Sequence, residues 1–348
     1  MRTYKFIKHL IVALTGVLFI SQSGSIYCQE KSGLEKPQVH ELTIYVVPSH
    51  SPLNWESPST IYTSTFNSFF KARFSKYPNS VGHMFVEFST SLIDSIVLTG
   101  MHSTSSKEKM RLLIKEKAGL AIMGAPMSGE MESSKSLRGM IDYLAKKGGR
   151  IAFIKYTINE RSAQRIKEFL ETFRSNVAGK SNPSNNYGGA FWPRYENEGS
   201  GCSAFGVSIL EIAGVNIEIP DWKVNVNIPA SLVGGEYNNN RKVRRYKIEQ
   251  VKKWHNGEGV EGVDYFEYKV YDPSLVYDWI LEKRKNYIGS NPENQIKEKN
   301  FLPETIKNIP GLSIDVSYIS IPANEPVFLK RTKQSVFIDV YKKRISQQ

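Results

Sequence analysis

Hydrophobic and polar positions follow two periods along the chain, and each period marks a different kind of element. β-Branched and aromatic runs predict strands at 42–47, 81–88, 96–102, 119–123, 151–156, 265–271, 314–321 and 336–341. Apolar residues three and four positions apart predict helices at 61–74, 107–117, 161–174, 202–213 and 275–284. Strands and helices are mixed without a regular βαβ alternation, and this arrangement predicts an α+β fold.

A basic head and a short apolar run open the chain. Three basic residues lie within the first eight positions, a mostly apolar run extends from Leu10 to Ile20, and no acidic residue precedes Glu30. This order is typical of a secretory signal, and the run is shorter than the roughly 20 residues of a membrane-spanning helix. We expect residues 1–28 to be a signal peptide, the protein to be exported (periplasmic or secreted), and no transmembrane segment to follow.

The expected cleavage changes the number of cysteines in the mature protein. The chain has two, Cys28 and Cys202. Lipid anchoring at Cys28 is the less favoured alternative, because Ser25 rather than leucine stands three positions before it. Once residues 1–28 are removed, Cys202 is the only thiol and cannot form an internal disulfide. An unpaired thiol in an exported protein is either a small buried hydrophobe or a reactive group.

The charge is strongly basic. Loss of residues 1–28 removes three cations and no acidic residue, which lowers the formal net charge from +12 to +9. The densest cationic cluster lies at 241–253. In an exported protein such a cluster indicates either an anionic envelope surface as partner or a solvated face, and not nucleic acid.

Cys202 stands at a predicted helix start. Gly199, Ser200 and Gly201 precede it, and the apolar positions that follow repeat at helical spacing. A helix N-terminus stabilises a thiolate, because its unpaired N–H groups carry partial positive charge. A helix whose first buried residue is cysteine would show the same pattern.

Two histidines lie on the strand candidates that flank 89–95. If these strands form a hairpin, His83 and His102 have their midpoint at 92.5, inside the connection, and are directly opposed. One imidazole could then activate the thiol while the second imidazole orients the first. Glu87 is the rival orienting group, but it lies roughly 14 Å along the strand from His83.

These residues carry a resemblance to a known family. The segments 187–189 (Tyr-Gly-Gly) and 201–205 (Gly-Cys-Ser-Ala-Phe) resemble the signature of NlpC-type cell-wall hydrolases, and 82–88 resembles the strand that carries their histidine. Here the histidine strand precedes the cysteine helix. That order is similar to the circularly permuted branch that includes the lecithin:retinol acyltransferase-like proteins. Gly201 stands where the standard signature has aspartate, and this departure weakens peptidoglycan as the substrate.

The resemblance implies a papain-like core of permuted order, with an antiparallel sheet whose histidine strand comes first. It implies Cys202 as nucleophile, His83 as proton shuttle, His102 as orienting group and Tyr187 beside the oxyanion. Tyr187 packed against a double-glycine turn is the structural alternative. We expect the core at 40–218 and a C-terminal α+β extension at 219–348.

The expected function is thiol-dependent hydrolysis or acyl transfer at an amide or ester bond, on a peptide, peptidoglycan or lipid-acyl substrate. No cofactor or metal is expected, because no histidine–cysteine spacing fits zinc and no glycine loop resembles a phosphate cradle. Two alternatives stay open: a non-catalytic envelope-binding protein on the same fold, and an unrelated α+β protein in which Cys202 is merely buried.

Overall fold

The computed structural model of the protein describes residues 39–77, 79–175, 182–289 and 301–346. The predicted signal peptide and Cys28 lie outside these described residues. The described residues belong to one compact unit. No helix within the described ranges is long and apolar enough to cross a membrane.

One large mixed sheet organises the fold. The strands of the described chain are β1 (His40–Val47), β2 (His83–Ser89), β3 (Val97–Ser103), β4 (Met127–Met131), β5 (Ala152–Ile158), β6 (Asn186–Tyr187), β7 (Lys223–Pro229), β8 (Tyr265–Tyr271), β9 (Leu302–Ile306) and β10 (Ile309–Asp315). Eight of them form a sheet in the order β6-β4-β3-β2-β1-β5-β10-β9, and β7 pairs with β8 separately. The expected antiparallel sheet is mixed instead, because β10 runs parallel to β5.

Eight α-helices accompany the described strands. They are α1 (Pro58–Ala72), α2 (Ser106–Met110), α3 (Ser134–Lys146), α4 (Glu160–Arg174), α5 (Cys202–Ile212), α6 (Arg245–Gln250), α7 (Pro273–Gly289) and α8 (Val336–Ile345). A π-helical turn at Arg111–Lys115 continues α2. The expected α+β class is confirmed.

Side chains of β2 alternate between the two faces of the sheet, and each face packs into a different hydrophobic cluster. Met84 and Val86 join the cluster that includes the apolar side chains of α4 and α5. Phe85 joins Leu137 and Met140 of α3 in a cluster on the opposite side. Apolar side chains from both faces are therefore withdrawn from water, and β2 is held between two helical layers.

Two strand predictions are wrong, and a third is displaced: of the segment 314–321 only Ile314 and Asp315 lie in a strand, at the end of β10. The segment 119–123 contains a 3₁₀ turn at Leu120–Met123, entered from Gly119 at a φ of 62°. The segment 336–341 lies in α8, because Phe337, Ile338 and Tyr341 are the buried positions and their spacing of three and four is helical. The β-branched residues suggested a strand, but tertiary packing of one face decides.

The region after 219 is less irregular than its prolines and glycines suggest. Strand β7 was not predicted, although Val224, Val226 and Ile228 alternate with polar residues and are buried. Strands β9 and β10 extend the main sheet beyond β5. The division into a 40–218 core and a 219–348 extension stays a prediction.

The predicted histidine hairpin is confirmed. Strands β2 and β3 pair antiparallel, with Phe85 opposite Gly100 and Phe88 opposite Val97. Each of these pairs has the midpoint of 92.5 that the sequence predicts for His83 and His102. The midpoint inferred from the sequence was therefore correct.

Candidate active site

Cys202 is the first residue of α5, as the sequence predicts. Gly201 caps the helix in an extended conformation and provides no side chain to bind the first N–H groups. These groups carry the positive end of the helix dipole, which stabilises an anionic sulfur. The side chain of Cys202 is nearly buried, at 8 % exposure, and is a free thiol.

The apolar face of α5 fixes where the thiol lies. Phe205, Ile209 and Ile212 are fully buried and pack in the core on one side of the sheet. Helix α5 lies against β2 and β3, so its first turn approaches the start of β2. Burial of three large side chains stabilises this placement by several kcal/mol, at about 1.5–3 kcal/mol each.

His83 opens β2 and contacts two acidic groups. Its ring is 4 % exposed, and Nε2 lies 2.6 Å from Oε2 of Glu132. The imidazole also lies within interaction range of the Cys202 thiol, and each of the two groups shifts the pKa of the other. Because Nε2 is taken by the carboxylate, Nδ1 is the nitrogen left for the sulfur.

Glu132 reaches His83 through the pairing of β4 with β3. Met131 is opposite Met101, and the backbone N–H of Glu132 donates to the carbonyl of Gly100 at 2.9 Å. A Cβ atom on Gly100 would lie 2.7 Å from Oε2 of Glu132. The absence of a side chain at position 100 therefore makes room for the carboxylate beside the imidazole.

His102 does not orient His83, in contrast to the expectation. Glu132 hydrogen-bonds His83, while Nε2 of His102 lies 3.2 Å from Oε1 of Glu130. Nδ1 of His102 is 4.0 Å from the other oxygen of Glu132, and the His102 side chain is 41 % exposed. The carboxylate from β4 takes the position that the hairpin alone would leave to His102. The rival orienting residue, Glu87, faces Arg138 at 3.5 Å.

The pKa values describe an ion pair. Burial lowers the pKa of His83, but the charge of Glu132 and the hydrogen bonds with Cys202 and Glu132 outweigh it and raise the pKa to about 10. Burial raises the pKa of Cys202, but the hydrogen bond and charge of His83, followed by Tyr187 and the Met84 backbone, bring it below its usual value. Burial also opposes ionisation of Glu132, while His83 and then His102 hold the pKa of this carboxyl below its usual range. All three shifts favour the charged forms of these groups: thiolate, imidazolium and carboxylate.

Tyr187 lies beside the thiol. Its hydroxyl donates to Sγ of Cys202 at 3.7 Å. Burial and the nearby thiolate raise the pKa of Tyr187 well above 10, so the hydroxyl keeps its proton and remains a donor. The phenol is therefore a hydrogen-bond donor to the sulfur of the residue that begins α5.

Two other ionisable residues lie outside the cluster of Cys202, His83 and Glu132. His255 stacks on Tyr265, with ring centroids 5.1 Å apart, and is not the imidazole paired with Cys202. Lys109, an exposed residue of α2, is close enough to interact electrostatically with the thiolate. Within the described ranges, no three His, Cys, Asp or Glu side chains are grouped so that they could hold a metal ion.

Glu132 is the residue that sequence reasoning missed. The alternation of Glu130 and Glu132 in the segment 128–133 is a strand-like signal, since both carboxylates then lie on one face. Without the register between β3 and β4, that signal does not say which histidine each carboxylate meets.

Comparisons with protein-family models, with curated proteins and with solved structures give no match for this chain. Its function is therefore inferred from the geometry of Cys202, His83 and Glu132.

Proposed function

We propose that the protein is a cysteine-dependent acyl hydrolase or acyltransferase. One observation carries the proposal: the Cys202 thiol begins a helix and interacts with an imidazole whose Nε2 is held by a largely buried carboxylate. Nucleophile, base and orienting group in this order are the functional elements of a catalytic triad, which is recognised by geometry rather than by sequence position.

The first half-reaction forms an acyl-enzyme. The thiolate of Cys202 attacks the carbonyl carbon of an amide or ester, and the carbonyl electron pair moves to oxygen. The helix N-terminus, with Tyr187 as a second donor, stabilises that oxyanion. When the tetrahedral intermediate collapses, the imidazolium of His83 gives its proton to the departing amine or alcohol. A thioester on Cys202 remains.

The second half-reaction releases the acyl group. Neutral His83 takes a proton from water, and the hydroxide attacks the thioester carbonyl. A carboxylic acid leaves, the sulfur recovers its electron pair, and His83 is protonated again. If an amine or alcohol occupies the position of water, the acyl group is transferred instead. Glu132 keeps the imidazole oriented and stabilises its charged form throughout.

The wider setting is part of the same proposal. The histidine strand, the cysteine helix and Tyr187 support a permuted papain-like core of the NlpC type, and the N-terminal sequence pattern supports export. The Glu132 carboxylate departs from the histidine pair that the resemblance suggested. Peptide, peptidoglycan and lipid-acyl compounds remain the substrate classes to test.

Reaction with p-nitrophenyl acetate tests the proposal without knowledge of the natural substrate. In a Cys28→Ser background we expect a burst of nitrophenolate and an acetyl group on the tryptic peptide that contains Cys202, detected by mass spectrometry. Cys202→Ser should abolish both, and His83→Ala should slow the burst by about 10²–10⁴-fold. Ser203→Ala is the matched control, because its hydroxyl lies 3.9 Å from the sulfur without touching the imidazole.

A native protein that forms no acetyl adduct, while its urea-unfolded form is alkylated at Cys202, would contradict catalysis. That outcome would favour the non-catalytic envelope-binding protein. A burst that persists in Cys202→Ser would assign the nucleophile to another residue.

A further inference from the structure

Helix α1 carries an exposed aromatic stripe. Phe66, Phe69 and Phe70 are 50 %, 58 % and 52 % exposed, and Phe74, just beyond the helix, is 81 % exposed. Their spacing of three and four residues puts them along one side of the helix. The buried positions of α1 include Ile61, on its other side. Single exposed apolar side chains are ordinary, but four adjoining phenyl rings mark an interaction surface.

A cationic segment lies exposed at 241–253. Its basic residues are Arg241, Lys242, Arg244, Arg245, Lys247, Lys252 and Lys253, and all are exposed. Among the salt bridges of the described residues, this segment contributes only one, between Arg245 and Glu249 at 2.7 Å. The remaining cations are not neutralised by a carboxylate of the described chain, so the segment presents net positive charge to its surroundings.

The structure places this segment against the aromatic stripe. The backbone N–H of Ser59 donates to the carbonyl of Val251 at 3.1 Å, and Nζ of Lys252 donates to the Ser59 hydroxyl at 2.9 Å. The guanidinium of Arg245 lies 5.4 Å from the ring centroid of Phe66. Helices α1 and α6 are therefore joined, and phenyl rings and free cations form one continuous surface, which we call the α1–α6 face.

We infer that the α1–α6 face binds the surface of an anionic phospholipid bilayer. Exposed phenyl rings gain free energy by entering the boundary between headgroups and acyl chains, and neighbouring lysines and arginines attract lipid phosphates. A soluble polyanion would use the cations but not the rings. The observed combination therefore favours a lipid surface, with the protein lying on the membrane rather than crossing it. This inference does not depend on the activity of Cys202.

Vesicle co-sedimentation of the full chain tests the inference. Phosphatidylcholine vesicles with phosphatidylglycerol should bind the protein, and pure phosphatidylcholine vesicles should bind it much more weakly. The double variant Phe69→Ser, Phe70→Ser and the double variant Arg244→Glu, Lys247→Glu should each lower partitioning by about tenfold or more. These side chains are exposed, so the fold should tolerate the changes, and circular dichroism can verify that.

Matched variants elsewhere on the surface separate this face from general charge or hydrophobicity. Lys342→Glu with Lys343→Glu on α8 makes the same charge change, and Tyr318→Ser removes another exposed aromatic ring. Both should leave partitioning unchanged. Equal losses in these controls would overturn the inference, and so would heparin binding without vesicle binding.

A local probe checks that the face itself enters the bilayer. In Phe70→Trp, the added fluorescence should shift to the blue on phosphatidylglycerol vesicles and be quenched by bromine atoms in the acyl chains. Sedimentation without any such shift or quenching would place the contact on another part of the chain and contradict the inference.

Discussion

The charged groups of the Cys202–His83–Glu132 cluster and those of the α1–α6 face lie in opposite environments. At the cluster, His83 is 4 % exposed and its partner Glu132 is 2.6 Å away, so each charge is enclosed and paired. On the α1–α6 face the cations are exposed, and all but Arg245 lack a carboxylate partner in the described chain. A buried pair fixes geometry, because loss of one partner leaves the other uncompensated. Exposed cations act additively on an external partner, within the screening length of the solution.

Among the candidate orienting groups of His83, Glu132 should have the largest effect. Glu132→Gln removes the charge that holds His83 protonated, and we expect kcat/KM for p-nitrophenyl acetate to fall by about 10²–10³-fold. His102→Gln should change it by less than about threefold, because that side chain is half exposed and meets Glu130. The reverse order of effects would restore His102 as the orienting group.

The pH dependence of alkylation should sharpen the contrast between a paired and a free thiol. Because the pKa of Cys202 is lowered in the folded protein, the iodoacetamide rate of native Cys28→Ser should show its midpoint at lower pH than the same protein in urea. His83→Ala should move the native midpoint upward, since the imidazolium is gone. Coincident native and unfolded midpoints would contradict the ion pair.

The same pair has a signature in stability. The pKa of His83 is raised to about 10 from 6.5, so its protonated form contributes stability that is complete below pH 6.5 and is lost as pH rises through 10. We expect the free energy of unfolding, measured in urea, to fall more between pH 7 and 10 in the wild-type protein than in Glu132→Gln. The carboxylate of Glu132 contributes in the opposite direction, and its contribution is lost as pH falls through its lowered pKa.

A smaller effect is expected at the phenol. Tyr187→Phe removes one donor to Sγ, and a hydrogen bond of about 1 kcal/mol corresponds to about fivefold in rate. Steady-state kinetics with p-nitrophenyl acetate measures it, and the packing of the ring beside Gly129 should be unaffected. A loss as large as that in His83→Ala would give Tyr187 a role in proton transfer instead.

The smallest effect concerns salt at the cluster. Raising ionic strength from 0.05 to 0.5 M, a range over which the screening length drops to about 4 Å, should change the alkylation rate of Cys202 by less than about twofold. The same change should release the protein from phosphatidylglycerol vesicles. If both responded alike, the cluster would be open to solvent ions and the contrast would fail.

The sequence revealed those parts of the site that depend on one segment or on a local pair. The helix start at Cys202 follows from glycines before a 3.6-residue period, and the register of His83 with His102 follows from the symmetry of a hairpin. The position of Glu132 depends on the pairing of β4 with β3, two strands about 30 residues apart in the chain, and on the space that Gly100 leaves for the carboxylate. No local pattern encodes that register.

The same limit explains the errors in the fold. Helix α8 has the β-branched composition of a strand, and only burial of Phe337 and Tyr341 shows that packing chooses the helical period. Strand β10 joins the sheet beside β5 in parallel, a pairing between segments more than 150 residues apart. Both outcomes are decided by tertiary contacts rather than by local preference.

The close approach of α5 to β2 has a consequence for how this protein can vary. A Cβ atom on Gly206 would lie 2.6 Å from Sδ of Met84 and 2.8 Å from its Cγ, and Met84 is fully buried beside His83. Any side chain at position 206 would push α5, which carries the sulfur, away from β2, which carries the imidazole. Inherited change at this glycine should therefore be rarer than at the exposed turns of the chain, because it alters the spacing on which thiol reactivity depends.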